Sequence, residues 1–174
     1  TEAEMSVLHI FDTTNARPRM ETLDATAQAG FANFTAVGCV QCHMPMLETY
    51  DTLLPLAHPE VATDPSANVY VDIDLTKDLG SNSGDNFLLS QTGNGVVVPL
   101  FSDLKRHYMG PGLVETFERG ELANGEFITA RLWGIADTGP YLHDGRATTL
   151  HQAIMQHGGE AEPVRLAYEA LDVA

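Results

Sequence analysis

Basic residues are scarce in this sequence. There are 9 Lys+Arg against 24 Asp+Glu in 174 residues, a formal charge of −15. Nucleic-acid recognition needs a basic patch that neutralises phosphates, so nucleic acid is disfavoured and is not expected as a partner. The same balance describes an acidic surface and a field that attracts basic partners. Cysteine is scarcer still: there are two, and no pair of histidines at zinc-finger distance follows them to complete a tetrahedral zinc site. No apolar run approaches the ~20 residues of a membrane-spanning helix. Thr1-Glu2-Ala3-Glu4 is not a basic n-region, so no signal peptide is visible. No internal repeat is present. What remains, 44% hydrophobic and 19% charged residues, suits a soluble globular chain with length enough for one domain and its core.

The two cysteines stand together in Gly38-Cys39-Val40-Gln41-Cys42-His43. This is C-x-x-C-H, the spacing that attaches a c-type haem. Two intervening residues turn the backbone about once, so both sulfurs can reach the vinyl groups on one porphyrin edge. The histidine that follows is then placed as the proximal iron ligand. A thioredoxin-like redox pair expects a βαβ setting, whereas the residues before Cys39 read as a helix. Neither a zinc half-site nor a redox pair needs the histidine. The motif therefore implies one covalent haem c held by Cys39, Cys42 and His43. Covalent haem assembly implies export, so the chain is expected to be periplasmic or otherwise exported, its signal removed. Both cysteines would be consumed, leaving none for a disulfide.

In chain order, residues 1–22 read as an N-terminal extension, with Val7 to Phe11 a short strand or docked segment and Asn15 to Arg19 a loop. A helix is predicted from near Leu23, capped by Thr22 or Asp24. Ala27, Phe31 and Phe34 share one face, with both phenylalanines in the core. Gly38 ends it. A polar loop is expected from Met44 to about Ala67. Val69, Val71, Ile73 and Leu75 alternate with polar residues, a half-buried strand. Val96-Val97-Val98 reads as a second strand, and the two are expected to pair as a hairpin inserted over about 68–101, around a loop at Gly80 to Asp85. Glu115 to Asn124 is read as polar surface. Thr148 or Thr149 should cap a helix bearing Leu150, Ala153, Ile154 and His157, ended by Gly158-Gly159. A last helix is predicted from near Pro163.

Several stretches together resemble a known family. They are Cys39 to Pro45, Phe101-Ser102-Asp103-Leu104-Lys105-Arg106-His107-Tyr108-Met109-Gly110-Pro111-Gly112, Leu132-Trp133-Gly134, Tyr141 to Ala147, Leu150 to Ile154, and His157-Gly158-Gly159-Glu160-Ala161. Their order and spacing resemble the C-terminal haem domain of the di-haem oxidoreductases related to bacterial cytochrome c peroxidases, over about residues 25–170. Members carry two haems, and this chain has one C-x-x-C-H. They usually close with a further helix, so a fragment, a processed chain or a single-haem relative is expected. The resemblance implies a mainly α, cytochrome c-like haem domain over 23–174 with an inserted β-hairpin.

Met109 lies where the resembling family supplies a distal iron ligand, and it ranks first for that role. His107, which would make a bis-histidine haem, is the runner-up, and Tyr108 stands third. Met44 and Met46 sit too near His43 to cross the ring; Met5 and Met20 precede the attachment helix, and Met155 reads as a helix residue. Arg131, Trp133 and Arg146 are candidates to contact haem propionates or shield the ring, with core packing the plain reading for Trp133. His143 reads as a turn or propionate residue, His151 and His157 as helix residues, and His9 and His58 carry no argued role. The function expected is electron transfer by a His/Met-ligated haem, with a redox partner protein or a larger haem-protein complex. The alternative is the haem domain of a peroxidase-like oxidoreductase, which needs an open iron position and an acid–base group.

Overall fold

The computed structural model describes Leu8, Phe11 and residues 22–58, 69–77, 90–116 and 124–171. Of the expected strand or docked segment at Val7 to Phe11 only Leu8 and Phe11 are described, both helical and exposed. The loops at Asn15 to Arg19 and Gly80 to Asp85, and most of the polar stretch before Asn124, lie outside the described residues.

The chain divides into two compact units: Thr1–Glu21 with Glu48–Val98, and Thr22–Leu47 with Pro99–Ala174. From residue 48 on, the described residues of the first form strands. β1 is Leu47–Glu48, β2 Leu53–His58, β3 Val69–Asp74, β4 Ser90–Thr92 and β5 Gly95–Val98. β2 pairs antiparallel with β3, Leu54 opposite Ile73. β4 pairs antiparallel with β5 across Gly93-Asn94, with Thr92 opposite Gly95. A two-residue hairpin turn of this kind needs positive φ, and Gly93 supplies it at 55°. β5 is the middle strand of the order β1-β5-β4. Thr49 is bonded to Val96 by both backbone and side chain, at 3.0 Å each. A Cβ on Gly95 would fall on the Thr49 carbonyl, so only glycine allows this approach. Ile73 and Val96, 2% and 0% exposed, are the buried apolar residues here.

The expected hairpin between residues 69–75 and 96–98 is therefore corrected: each strand pairs with its own neighbour in sequence. β2 was hidden because Pro55 removes a ladder donor and argues against a strand. Here it sits in the two-stranded β2-β3 sheet.

The second unit begins with α1, Ala25–Ala36, capped by Asp24, whose side chain accepts from Ala27 N–H at 2.8 Å. β6, Arg106–Tyr108, pairs antiparallel with β7, Glu126–Ile128. α2 is Leu150–Met155 and α3 Glu162–Glu169. Thr149 caps α2 by accepting from Gln152 N–H, while the Gln152 side chain accepts from Thr148 N–H at 2.8 Å. Pro163 lies in the first turn of α3. Among the described residues of this unit, Leu113, Ala147 and Ala153 form the buried apolar core, and the polar Ser102 is buried as well.

The mainly α expectation is overturned. Among the described residues the helices span 12, 6 and 8 residues, beside seven strands in three small sheets. The physical reason lies in the long segment after Pro99. Glycine and proline interrupt it repeatedly, and Phe101, Leu104 and Leu142 hold positive φ. No helix propagates through such positions. Turns, the β6-β7 pair and the Tyr141–Ala147 bridge meet its backbone groups instead.

Candidate functional site

The cysteine motif hangs from the end of α1. Gly38, at φ 98°, turns the chain into a 3-10 turn over Cys39–Gln41. The N–H groups of Cys42 and His43 both donate to the Cys39 carbonyl, at 3.3 and 2.9 Å. Both thiols are half-buried, and neither is in a disulfide. Burial pushes both thiols above their ordinary pKa, and the carboxylates of Asp103 and Glu160 add to the effect at Cys42.

His43 is aimed by a residue far along the chain. Its Nδ1 lies 3.0 Å from the Phe101 carbonyl. A carbonyl only accepts, so Nδ1 carries the proton and Nε2 keeps its lone pair, the arrangement a ligating histidine needs. Burial lowers the pKa of His43, which favours the neutral ring, although the Phe101 and Ala130 carbonyls oppose this. Phe101 itself holds φ 55°, a strained conformation for a residue with a side chain.

The segment around Phe101 is fastened directly to the motif. Ser102 N–H donates to the Met44 carbonyl at 3.0 Å, and Asp103 N–H to the Cys42 carbonyl at 2.9 Å. The buried Ser102 hydroxyl donates to the Thr129 carbonyl at 2.7 Å and accepts from Leu104 N–H at 3.0 Å. Phe31, Phe34 and Phe101 form a ring cluster with centroids 6.2–6.3 Å apart, and Phe34 stands 6.3 Å from His43. The expectation that Phe31 and Phe34 lie in the core is corrected: α1 buries no residue, and Phe31 is 39% exposed. These rings line the approach to His43. An apolar planar group placed there would cover them, so the imidazole lone pair, the two thiols and the rings fit a haem.

A second set of bonds runs from the motif to Met109. Asp103, with its side chain 3% exposed, meets His107 Nε2 at 2.9 Å, and Glu160 meets His107 Nδ1 at 3.0 Å. Both ring nitrogens therefore donate to carboxylates, and no lone pair is left on His107 in this arrangement. The pKa of His107 is raised, by Glu160 first and Asp103 second. Glu160 uses its other oxygen to accept from Tyr108 N–H at 2.9 Å. Met109 follows at once, half-buried, its N–H on the Gly125 carbonyl at 2.9 Å. Gly158 and Gly159 press against Tyr108–Gly110 backbone to backbone. A Cβ on Gly159 would strike the Tyr108 carbonyl, and one on Gly110 would lie 2.7 Å from Gly159 N.

The remaining candidates sit as follows. Trp133 is half-buried and donates from Nε1 to the Pro99 carbonyl at 2.6 Å. Arg146 is bonded to Asp144 and donates to the Gly112 carbonyl at 2.7 Å, bracing the turn after Met109. Arg131 is exposed, just before Trp133 and outside these bonds. His143 stacks on Phe127 at 4.5 Å.

Sequence reasoning assigned no role to Phe101, Asp103 or Glu160. It also read Gly158-Gly159 as a helix stop, whereas α2 ends at Met155 with Gln156 as its cap. The signal was available in the glycine pair itself. Adjacent glycines beyond the last turn of a helix also mark close backbone approach. Among the described residues no group of three or more His, Cys, Asp or Glu side chains is placed to hold a bare metal ion, and the zinc alternative gains no support. No helix among the described residues is long and apolar enough to cross a membrane.

A family model described as "di-haem oxidoreductase, putative peroxidase" matches residues 69–174, well over half of the chain. The matched span holds β6, Met109, Trp133, Arg146 and Glu160, and it begins after the C-x-x-C-H motif. No curated protein and no solved structure matches the chain. With the resemblance read from the motifs and the family match in agreement, the chain belongs to the di-haem oxidoreductase family and contributes a haem-related oxidoreductase domain.

Proposed function

We propose that this chain is an electron-transfer domain that holds one covalent haem c through Cys39 and Cys42, with His43 and Met109 as axial ligands. The observation that carries the reading is the pair of histidine environments. In the neutral ring His43 keeps its lone pair on Nε2, because Nδ1 donates to the Phe101 carbonyl; the Ala130 carbonyl lies against the same ring. His107, the runner-up for the distal position, has both nitrogens spent on Asp103 and Glu160. Met109 then stands as the donor offered by that segment.

When bound, haem supplies a one-electron redox centre whose potential a methionine ligand raises. The chain's own residues do the rest. The half-buried thiols would hold the haem as thioethers, by adding across its vinyl groups; the Phe101 carbonyl keeps the His43 ring in one orientation, and Phe31, Phe34 and Phe101 would shield the haem edge from water. Arg131 is the guanidinium left to meet a propionate, because Arg146 is bonded to Asp144 and Gly112 and Trp133 to Pro99. With His43 and Met109 both holding the haem, no position would be left for a substrate. The formal charge of −15 favours a redox partner with a basic docking face, either a separate protein or part of a larger haem-protein complex. Covalent attachment supports export to a periplasm or its equivalent.

A peroxidase-like domain is the second reading, favoured by the description of the matching family. Electron paramagnetic resonance of the oxidised protein, with haem counted per chain, separates the two. One haem with a low-spin signal, resistant to acid-organic extraction, is expected. Met109→Ala should then convert the signal to high spin and lower the potential. A substantial high-spin signal in the unaltered protein would overturn electron transfer, and extractable haem would overturn covalent attachment.

A further inference from the structure

Glu160 joins three pieces of chain that are remote in sequence. It is the middle residue of the 3-10 turn Gly159–Ala161 that precedes α3, directly after the Gly158-Gly159 pair. One carboxylate oxygen accepts from Tyr108 N–H at 2.9 Å, and the other accepts from His107 Nδ1 at 3.0 Å. The far side of the His107 ring is held by Asp103 at 2.9 Å, and Asp103 N–H is bonded to the Cys42 carbonyl. The carboxylate thus sits at the end of an unbroken line of bonds from the cysteine motif to the peptide that precedes Met109. Gly158 and Gly159 complete the clip. The added-Cβ contacts place Gly159 against Tyr108 and Gly110, and Gly158 against the Met109 carbonyl.

We propose that Glu160 is a positioning residue for Met109, fixing where the methionine stands by clipping the 107–110 backbone to the Gly158-Gly159 turn. The inference rests on Met109 being an iron ligand. Glu160 does not touch the iron in this role; it acts through the Tyr108 amide and the His107 ring. The chemistry needs a side chain that accepts twice along one edge. Glu160 spans Tyr108 N–H and His107 Nδ1 together, and an aspartate, one methylene shorter, cannot reach both. Glutamine retains the reach: its oxygen accepts from Tyr108 N–H, and its amide nitrogen donates to a neutral His107 ring that still donates to Asp103. The Glu160 side chain is 56% exposed, so water replaces the lost bonds and the substitutions leave the fold in place.

The test uses the haem-loaded full chain in four forms: unaltered, Glu160→Ala, Glu160→Gln and Met109→Ala. The readouts are the long-wavelength sulfur-to-iron charge-transfer band of the oxidised protein and hydrogen exchange of the Tyr108 amide. Glu160→Ala is expected to weaken or shift the band and to speed exchange of that amide by about five- to tenfold, the factor for one lost hydrogen bond. Glu160→Gln is expected to keep both near the unaltered values. If Met109→Ala abolishes the band while Glu160→Ala leaves it unchanged, the positioning role is overturned and methionine ligation stands. A band that survives Met109→Ala overturns the ligation reading and this inference with it. Should Glu160→Ala fail to hold haem, Glu160→Asp takes its place: a partial loss of the band supports the clip, and an unchanged band overturns it.

Discussion

The Phe101 carbonyl accepts a hydrogen bond from His43 Nδ1 at 3.0 Å, across a separation of 58 residues. Phe101 adopts φ 55° to present that oxygen, at a backbone cost of about 1–2 kcal/mol. The surroundings offset it. The Phe101 ring packs edge-on against Phe31 and Phe34, and the following residue, Ser102, is wholly buried and bonded on both sides. A strained residue held in this way at a ligand's second bond is where functional strain is commonly found.

Ser102 is the lock on this arrangement. Ser102→Ala removes the donor to the Thr129 carbonyl and the acceptor of Leu104 N–H. The Thr129 carbonyl stays beside a position that is 0% exposed, whereas Leu104 is 61% exposed and its N–H can turn to water. Each buried group left unpaired costs about 1–3 kcal/mol. A fall in unfolding free energy of roughly that size is expected in urea titration. A midpoint unchanged from the unaltered protein would show that the hydroxyl contributes nothing.

Two glycine substitutions should act in opposite directions. Gly159 holds φ 53°, and a Cβ there would strike the Tyr108 carbonyl and lie 2.6 Å from Gly110 N. Gly159→Ala is expected to destabilise by more than about 2 kcal/mol. Gly30 lies within α1, and a Cβ there meets nothing within 4 Å. Gly30→Ala is expected to stabilise by about 0.5–1 kcal/mol through helix propensity. Thermal unfolding of the two variants checks the pair, and a Gly159→Ala melting point at or above that of the unaltered chain would contradict the close approach.

The carboxylate clamp on His107 sets a pH window. His107 titrates above its ordinary value of 6.5, with Glu160 the larger cause and Asp103 next. Its contribution to stability is therefore complete below that ordinary value and is lost as the pH rises through the raised one. Asp103 lies at about 2 against an ordinary 3.8: burial opposes the shift, and bonds from Lys105 N–H, Thr129 and His107 outweigh it. Glu160 is lowered from 4.5 by His107 and then by Tyr108 N–H. The carboxylates contribute fully above their ordinary values, and that contribution is lost as the pH falls through the lowered ones. The cluster should be most stabilising between about pH 4.5 and about pH 6.5. In urea unfolding across pH, the stability gap between the unaltered protein and His107→Gln should be widest in that window and narrow on both sides. A gap that stays constant from about pH 3 to about pH 9 would remove the clamp from the stability of the fold.

The legibility of the fold followed the range of each signal. Asp24 and Thr149 were readable as helix caps because a cap bonds an amide three residues away. Val69 to Asp74 was readable as a strand because alternation is visible within the strand itself. Its partner was not. Pairing depends on which chain segment returns alongside, and Leu53–His58 carries a proline that speaks against a strand. The mainly α expectation failed for a related reason. Helices at either end were legible, while the long stretch between them is held by left-handed residues and bridges that leave no periodic pattern.

Sequence by itself determined the chemistry on offer: Cys39, Cys42 and His43 at haem-attaching spacing, a strongly acidic charge balance, and the motifs that place the chain in its family. It left His107 and Met109 as competing ligands. Only the tertiary structure put Asp103 and Glu160 on the two sides of the His107 ring, and only it aimed His43 through the Phe101 carbonyl. A residue's type and spacing are local properties. The partner that occupies its lone pair or proton is chosen by chain reversals tens of residues long, and those have no local signature.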